Sequence, residues 1–190
     1  MGTVTTLPQR QPIVLPRSRP LTGADLDSLP DDGHRYELID GTLVVSPAPS
    51  TRHQRILARL HLALAQHCPP ELEVFFAPLD VVLADDTVLQ PDLLVARRSD
   101  LTEDNLPAPP MLAVEVLSPS TRRVDLTLKR SRLEEAGCPS YWVVDPDEPC
   151  IIAWELRDGG YVETAHVAGD ETFTTDQPYP VTFSPHDLVG

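Results

Sequence analysis

The sequence predicts one domain of the α/β (α+β) class, in which β-strands and hairpins combine with two longer helices. Two hairpin patterns, at residues 36–45 and 151–167, each place an Asp- and Gly-containing turn between β-prone runs. Apolar residues at helical spacing cover residues 51–67. A nearly continuous apolar run at residues 111–117 predicts a strand that is buried on both faces.

Length and composition suit one domain with a sizeable core, since the chain has 190 residues and 41% of them are apolar. Residues 1–20 are rich in Pro, Thr and Arg, so we expect a disordered N-terminal arm before a domain at residues 21–190. No run approaches the ~20 apolar residues that span a bilayer, and no secretory signal is apparent. The three cysteines lack disulfide or zinc-ribbon spacing, so we expect a cytoplasmic protein without a membrane partner.

The charge of the chain argues against broad nucleic-acid binding. Its formal net charge is −14, whereas nucleic-acid-binding proteins usually present a basic surface that neutralises phosphates. Arg52, Arg55 and Arg59 recur at the spacing of one helical face and could form a local basic patch. A solvated helix face is the alternative interpretation. If DNA is the partner, the composition predicts weak or site-restricted binding.

Local signals place the first elements. One helical turn is expected at residues 25–29, and Asp40-Gly41 is the turn of the first hairpin. Ser50 is suited to cap the helix that follows, and a pair of prolines beginning at Pro69 ends that helix.

The middle of the chain is rich in strand signals. Residues 72–77 and 79–84 are two β-prone runs, and residues 88–96 are predicted as one further strand around Pro91. The remaining expected elements are a helix at residues 122–136, which Gly137 ends, and a strand at residues 140–145.

Glu115 is the charged exception in the apolar run at residues 111–117. A carboxylate in the middle of a buried strand is costly unless it is paired or binds a metal ion. The alternative is that Glu115 contacts an arginine or lies near a solvated end of the strand. The position therefore favours, without requiring, a functional role.

Lys129 is the single lysine among fifteen basic residues. It follows Glu115 by fourteen residues and lies downstream of Asp92. Two carboxylates and one ammonium are a minimal set for metal-assisted phosphodiester cleavage, because carboxylates bind Mg²⁺ and an ammonium stabilises negative charge. The alternatives are a base-composition bias towards Arg and a surface ion pair with Asp125, four residues earlier.

Several short motifs follow one another along the chain. They are Tyr36–Gly41, Gln90-Pro91-Asp92, Val114–Thr121, Asp125 with Lys129, Gly137, and Tyr141–Pro146. This set resembles the Uma-two family of restriction-endonuclease-like proteins, within the wider PD-(D/E)XK nuclease superfamily. The resemblance covers residues 21–185.

The resemblance implies a restriction-endonuclease-like mixed β-sheet core flanked by helices. It implies that Asp92 and Glu115 ligate Mg²⁺ (or Mn²⁺), with the backbone carbonyl of Val116 as a third ligand. Glu37 matches an additional acidic residue of the family, which would ligate a second cation or position water. A solvated strand residue is the alternative for Glu37.

One position departs from the superfamily pattern, in which a lysine stands two residues after the glutamate. That position holds Leu117, so the resemblance implies that the lysine has migrated to the next helix as Lys129. Asp125 could orient the ammonium, which would then act electrostatically rather than as a base.

The expected activity is that of a Mg²⁺-dependent endodeoxyribonuclease, and cleavage of both strands would favour a homodimer. The alternative is a catalytically inactive nuclease-fold module that acts through protein contacts, which the acidity and Leu117 favour. The six histidines show no metal-ligand spacing and are interpreted as surface or packing residues.

Overall fold

The computed structural model describes residues 15–16 and 18–189, so residues 1–14 and 17 of the predicted arm, and residue 190, lie outside the described residues. The helices are α1 (Gly23–Leu26), α2 (Thr51–Ala65), α3 (Arg122–Val124), α4 (Arg130–Glu135) and α5 (Pro185–Val189). A π-helical segment, Asp125–Lys129, joins α3 to α4, and a 3-10 turn spans Arg98–Asp100.

Most of the strands are short. They are β1 (Arg35–Ile39), β2 (Thr42–Ser46), β3 (Leu72–Phe76), β4 (Asp80–Ala84), β5 (Thr87–Leu89), β6 (Leu93–Arg97), β7 (Asn105–Leu106), β8 (Leu112–Val116), β9 (Ser140–Asp145), β10 (Cys150–Arg157), β11 (Gly160–Ala168), β12 (Phe173–Thr175) and β13 (Val181–Phe183). Among the described residues, no helix is long and apolar enough to cross a membrane.

Within the described part of the chain, the strands form two larger sheets and one small one. The six-stranded sheet has the order β11-β10-β9-β8-β6-β3, with β8 and β9 parallel and the other neighbours antiparallel. The five-stranded sheet has the order β2-β1-β5-β4-β7, and β12 pairs with β13. The mixed sheet, its flanking helices and the additional hairpins confirm the predicted fold class.

The first hairpin forms where Asp40-Gly41 was predicted to turn. Both residues adopt the left-handed region, with φ of 51° and 71°, as the tight turns of two-residue hairpins require. A Cβ atom on Gly41 would lie 2.4 Å from the Cβ of Pro20, so the close approach of the chain also requires glycine. This turn packs against Pro20 and Leu21, and the Leu21 N–H donates a hydrogen bond to the Gly41 carbonyl.

Capping explains two helix starts. Ser50 caps α2 as predicted, since its hydroxyl accepts a hydrogen bond from the His53 N–H. The turn predicted at residues 25–29 is observed earlier, as α1, because Thr22 and Asp25 form a capping box.

The prediction of one continuous strand at residues 88–96 is wrong. β5 belongs to the five-stranded sheet and β6 to the six-stranded sheet, and Pro91 lies between them. Proline has no N–H to donate to a ladder, so it suits the point where the chain leaves one sheet for the other. Asp92 therefore lies at the crossing point, immediately before β6.

The two faces of β8 pack against different apolar clusters. Leu112, Val114 and Val116 share one cluster with apolar residues of α2. Ala113 and Leu117 belong to a second cluster on the side of α4. Because side chains alternate along a strand, Glu115 points to this second side. Strand periodicity thus directs Glu115 towards the helical segment that carries Lys129.

Candidate active site

Glu115 and Lys129 form the centre of a buried ionic cluster. The Lys129 Nζ lies 3.0 Å from Glu115 Oε1 and donates a hydrogen bond to it. Both side chains are at most 1% exposed. The second oxygen, Glu115 Oε2, is buried and has no hydrogen-bond partner among the described residues. Glu115 therefore has a free buried oxygen beside a fixed positive charge.

Lys129 reaches this position from the end of a π-helical segment, a type of irregularity that often occurs at functional sites. Its ammonium also lies 2.8 Å from Glu37 Oε1 and 3.6 Å from Asp125 Oδ1. The Tyr141 hydroxyl donates to the backbone carbonyl of Asp125 at 2.9 Å and so satisfies that carbonyl at the irregular point of the helix. The pair of Asp125 and Lys129 is buried, which contradicts its interpretation as a surface ion pair.

Glu37 enters the cluster from β1 and is fully buried, so its interpretation as a solvated strand residue is wrong. Its Oε1 accepts a hydrogen bond from the Gln90 N–H at 2.8 Å, in addition to the contact with Lys129. Its Oε2 is a second buried oxygen without a hydrogen-bond partner in the described residues. Glu37 thus joins the five-stranded sheet to the chain segment that precedes Asp92.

Asp92 accepts hydrogen bonds through both of its oxygens. Oδ1 accepts from Arg35 Nη1 at 2.6 Å, and Oδ2 accepts from the Val116 N–H at 2.9 Å. The His53 Nε2 also lies 3.0 Å from Oδ2, while His53 Nδ1 is buried without a hydrogen-bond partner among the described residues. The contact with Val116 joins Asp92 to the strand that carries Glu115.

Burial and the neighbouring charged groups shift the pKa values of the cluster members in opposite directions. Burial raises the pKa of Glu115 well above its usual value, and Lys129 offsets this effect only in part. Burial also raises the pKa of Asp125. For Asp92, burial opposes ionisation, but the hydrogen bond from His53 and the charge of Arg35 hold its pKa well below the usual value.

The ammonium of Lys129 is held in its charged form. Burial favours the neutral amine, but the charges of Glu115, Glu37 and Asp125 outweigh that effect and raise the lysine pKa above its usual value. A lysine with a raised pKa stays protonated at neutral pH and is poorly suited to accept a proton from water. The environment therefore favours an electrostatic role over a role as general base.

The donor atoms of the cluster have the chemistry that a hard divalent cation requires. Mg²⁺ prefers oxygen ligands, and both Glu115 Oε2 and Glu37 Oε2 are buried oxygens without hydrogen-bond partners in the described residues. The described side chains do not form a complete metal site by themselves. No three His, Cys, Asp or Glu side chains among them are arranged to hold a metal ion. The expected set differs from such an arrangement, since it contains two carboxylates and one backbone carbonyl.

A cavity of about 810 Å³ gives access to one side of the cluster. Its lining includes Asp92, Arg35 and His53, together with Leu117 and the hydroxyl-rich turn that follows it. Glu37, Glu115 and Lys129 are not part of this lining. A ligand that enters the cavity therefore meets Asp92 and Arg35.

The family model of the Uma-two family, described as "Putative restriction endonuclease", matches residues 24–186. The chain belongs to the Uma-two family. This membership confirms the resemblance that the ordered motifs indicate. No curated protein sequence matches the chain.

A solved structure supports the fold of this Uma-two protein. The chain is similar to a "putative nuclease" from Anabaena variabilis ATCC 29413, with a TM-score of 0.73 and 20% sequence identity. The match covers 90% of this chain and 98% of the other. At that identity, the likeness shows that the two proteins share a fold.

The five predicted site residues of this family member fall into two groups. Glu37, Glu115 and Lys129 meet directly, whereas Asp92 is joined to them through the Val116 N–H and through Arg35, whose Nε lies 3.9 Å from Glu37 Oε2. The structure therefore brings together the chain segments that carry all five residues, and it leaves the carbonyl role of Val116 as a prediction.

Sequence reasoning missed two residues that contact Asp92. His53 was interpreted as a surface or packing residue, but it lies within hydrogen-bonding distance of this carboxylate, 39 positions away in the chain. Arg35 was not considered, although it stands two residues before Glu37 and so shares a strand face with it. That spacing was the one sequence signal for Arg35, and for His53 we find none.

Proposed function

We propose that the chain is a metal-dependent endonuclease that hydrolyses phosphodiester bonds in DNA. The observation that carries this proposal is the position of Lys129, whose Nζ lies 3.0 Å from Glu115 Oε1 in a buried site. The neighbouring Val116 N–H donates to Asp92, so two carboxylates and one ammonium converge from distant parts of the chain. These are the groups that metal-assisted phosphodiester hydrolysis requires.

Each residue has a distinct role in this proposal. Asp92 and Glu115 would hold Mg²⁺ or Mn²⁺, with the Val116 carbonyl as a third ligand and Glu37 Oε2 as a further oxygen. The cation would supply Lewis acidity, which lowers the pKa of a bound water and neutralises charge on the scissile phosphate. Lys129, held as an ammonium that does not line the cavity, would act on the negative charge that develops on that phosphate electrostatically and without contact.

The charges of the chain and of the cavity lining limit how strongly DNA can bind. The chain as a whole is acidic, with a net charge of −14, so phosphates are attracted only by local cations. Arg35, Arg52 and His53 are basic residues in the cavity lining. Arg52 already pairs with Asp147, which weakens its attraction for phosphate. We therefore expect weak or site-restricted binding that decreases steeply with salt, and a homodimer where both strands are cut.

Cleavage of plasmid DNA in the presence of Mg²⁺ or Mn²⁺ tests the proposal. The variants Asp92→Asn and Glu115→Gln keep the size of each side chain and remove its charge, so we expect both to lose activity. Glu103→Gln is the matched control, because Glu103 is exposed in a loop. Equal cleavage by the wild type and the Asp92→Asn variant would show that the activity belongs to a contaminant.

One observation favours a second function, that of an inactive nuclease-fold module that acts through protein contacts. Both oxygens of Asp92 already accept hydrogen bonds from protein groups, and such a carboxylate can be purely structural. Isothermal titration with Mn²⁺ separates the two functions. Binding that disappears in the Glu115→Gln variant supports the nuclease, and absence of binding supports the module.

A further inference from the structure

Arg35 occupies the Oδ1 oxygen of the candidate metal ligand Asp92. Its Nη1 donates to Asp92 Oδ1 at 2.6 Å and to the Gln90 carbonyl at 3.2 Å. Its Nε lies 3.9 Å from Glu37 Oε2, one of the two buried glutamate oxygens without a hydrogen-bond partner among the described residues. The guanidinium thus neutralises charge at the position where the proposed function requires a cation.

The partners of Asp92 differ in their freedom to move. The Val116 N–H is part of the backbone of β8 and cannot leave without a change in the strand, and the short His53 side chain is only 12% exposed. Arg35 reaches Asp92 through a long side chain that lines the cavity and is 20% exposed. Among these three partners, Arg35 can leave at the lowest cost to the fold.

Two properties of the guanidinium decide where it goes. A divalent cation at Asp92 would repel it, because like charges at short range in a buried site interact strongly. A guanidinium binds a phosphate with the same planar fork that it offers to a carboxylate. The cavity that Arg35 lines is where a substrate phosphate would arrive.

We propose that Arg35 is an exchanging counter-ion: it pairs with Asp92 in the metal-free protein and transfers to the substrate phosphate when a cation binds Asp92. This inference rests on the proposed function. Lys129 cannot exchange in this way, because it is 1% exposed and, unlike Arg35, does not line the cavity. The site would therefore contain one fixed and one exchanging positive charge.

The exchange predicts opposite effects for the variant Arg35→Gln. Removal of the competing guanidinium frees Asp92 Oδ1, so Mn²⁺ should bind more tightly in the absence of nucleic acid. The same variant lacks the group that receives the phosphate, so KM for DNA should increase. A residue with a purely structural role would weaken both processes, because damage to the site lowers its affinity for every ligand.

The test measures both properties on the full chain. Isothermal titration of Mn²⁺ into Arg35→Gln should give about tenfold tighter binding than the wild type, and steady-state cleavage of a DNA oligonucleotide should give a KM about tenfold higher. Arg157→Gln, which changes an exposed arginine of the β10–β11 hairpin, should leave both values unchanged. Arg35→Lys keeps a positive charge without the planar fork, so its Mn²⁺ affinity should stay near the wild-type value while its KM rises.

Several outcomes would overturn the exchange. If the wild type binds Mn²⁺ and cleaves DNA, but Arg35→Gln binds Mn²⁺ with equal or lower affinity, the exchange is wrong and the proposed function stands. If Arg35→Gln does not fold, the Arg35→Lys variant decides, and an unchanged KM for it overturns the exchange. If the wild type neither binds Mn²⁺ nor cleaves DNA, the proposed function and the exchange both fail.

Discussion

Lys129 and Glu115 stand fourteen residues apart in the chain, and their Nζ and Oε1 atoms lie 3.0 Å apart in a site that solvent barely reaches. A strand that is followed by a turn and a helix brings them together, with Glu115 on the helix-facing side of β8. Both side chains are buried, so replacement of Lys129 removes the positive charge that partly offsets the burial of Glu115.

Lys129→Met should reduce both stability and cleavage. Three carboxylates would lose their ammonium, which should lower the free energy of unfolding by about 3–5 kcal/mol. Loss of the charge that stabilises the transition state should reduce the cleavage rate by about 10²–10³-fold. Urea denaturation and plasmid cleavage measure the two effects. Arg123→Met, an exposed residue in α3, is the control, and a stable Lys129→Met protein would contradict the buried ion pair.

The stability of the Glu115→Gln variant relative to the wild type should increase as the pH rises. The pKa of Glu115 is raised in the folded state, so the folded protein retains a proton that the unfolded chain releases. The stability that this proton contributes is fully present below the unfolded pKa, near 4.5, and is lost as the pH rises through the folded pKa. Glutamine cannot ionise, so the variant lacks this loss.

Thermal unfolding at several pH values between 5 and 8 measures this effect. The difference in Tm between Glu115→Gln and the wild type should increase with pH, whereas Glu103→Gln should show no such trend. A Tm difference that stays constant across the range would mean that Glu115 does not titrate abnormally.

His53→Ala should weaken metal binding without unfolding the protein. His53 lies 3.0 Å from Asp92 Oδ2 and helps to orient that carboxylate. Residues that orient metal ligands typically change metal affinity or activity by about 10–100-fold. Mn²⁺ titration and kcat measure the loss. His61→Ala, in the same helix, removes a ring that packs against Phe76 and should leave Mn²⁺ affinity unchanged; an equal loss in both variants would refute a specific role for His53.

A lysine at position 117 should partly replace the lysine at position 129. Leu117 is buried and follows Glu115 by two residues, so both side chains lie on the same side of β8. The double variant Leu117→Lys with Lys129→Met should therefore cleave DNA about tenfold faster than the single variant Lys129→Met. Plasmid cleavage by the two folded proteins measures the recovery, and its absence would argue that the lysine did not migrate.

The sequence predicted the hairpins and α2 well, because their signals are local. Asp40-Gly41 requires left-handed backbone angles, and Ser50 caps the helix that follows it. The error at residues 88–96 has the opposite cause. Strand propensity is high on both sides of Pro91, and the proline indicates a break in the strand but not that the chain passes from one sheet to another there.

From local patterns alone, candidate site residues were predictable only where they broke a pattern, whereas Asp92, Glu37 and Val116 were predicted from the family resemblance. Glu115 interrupts an apolar strand, and Lys129 is the single lysine of the chain, so both stand out in the amino-acid sequence. His53 and Arg35 break no pattern, because a histidine in a helix and an arginine on a strand are ordinary. They contact Asp92 across 39 and 57 positions of sequence, and such contacts depend on how the sheets and α2 pack.

Residue patterns over short stretches were enough to specify most of the elements, because turn geometry, capping and side-chain alternation act between near neighbours. The ordered set of motifs specified the family. Packing of the two sheets against the helices decided the rest. It placed Glu37 and Lys129 in contact, paired Asp92 with His53 and Arg35, and excluded solvent from the cluster. Electrostatic interactions between these groups depend on distance in space and on burial, and neither quantity exists until the chain is folded.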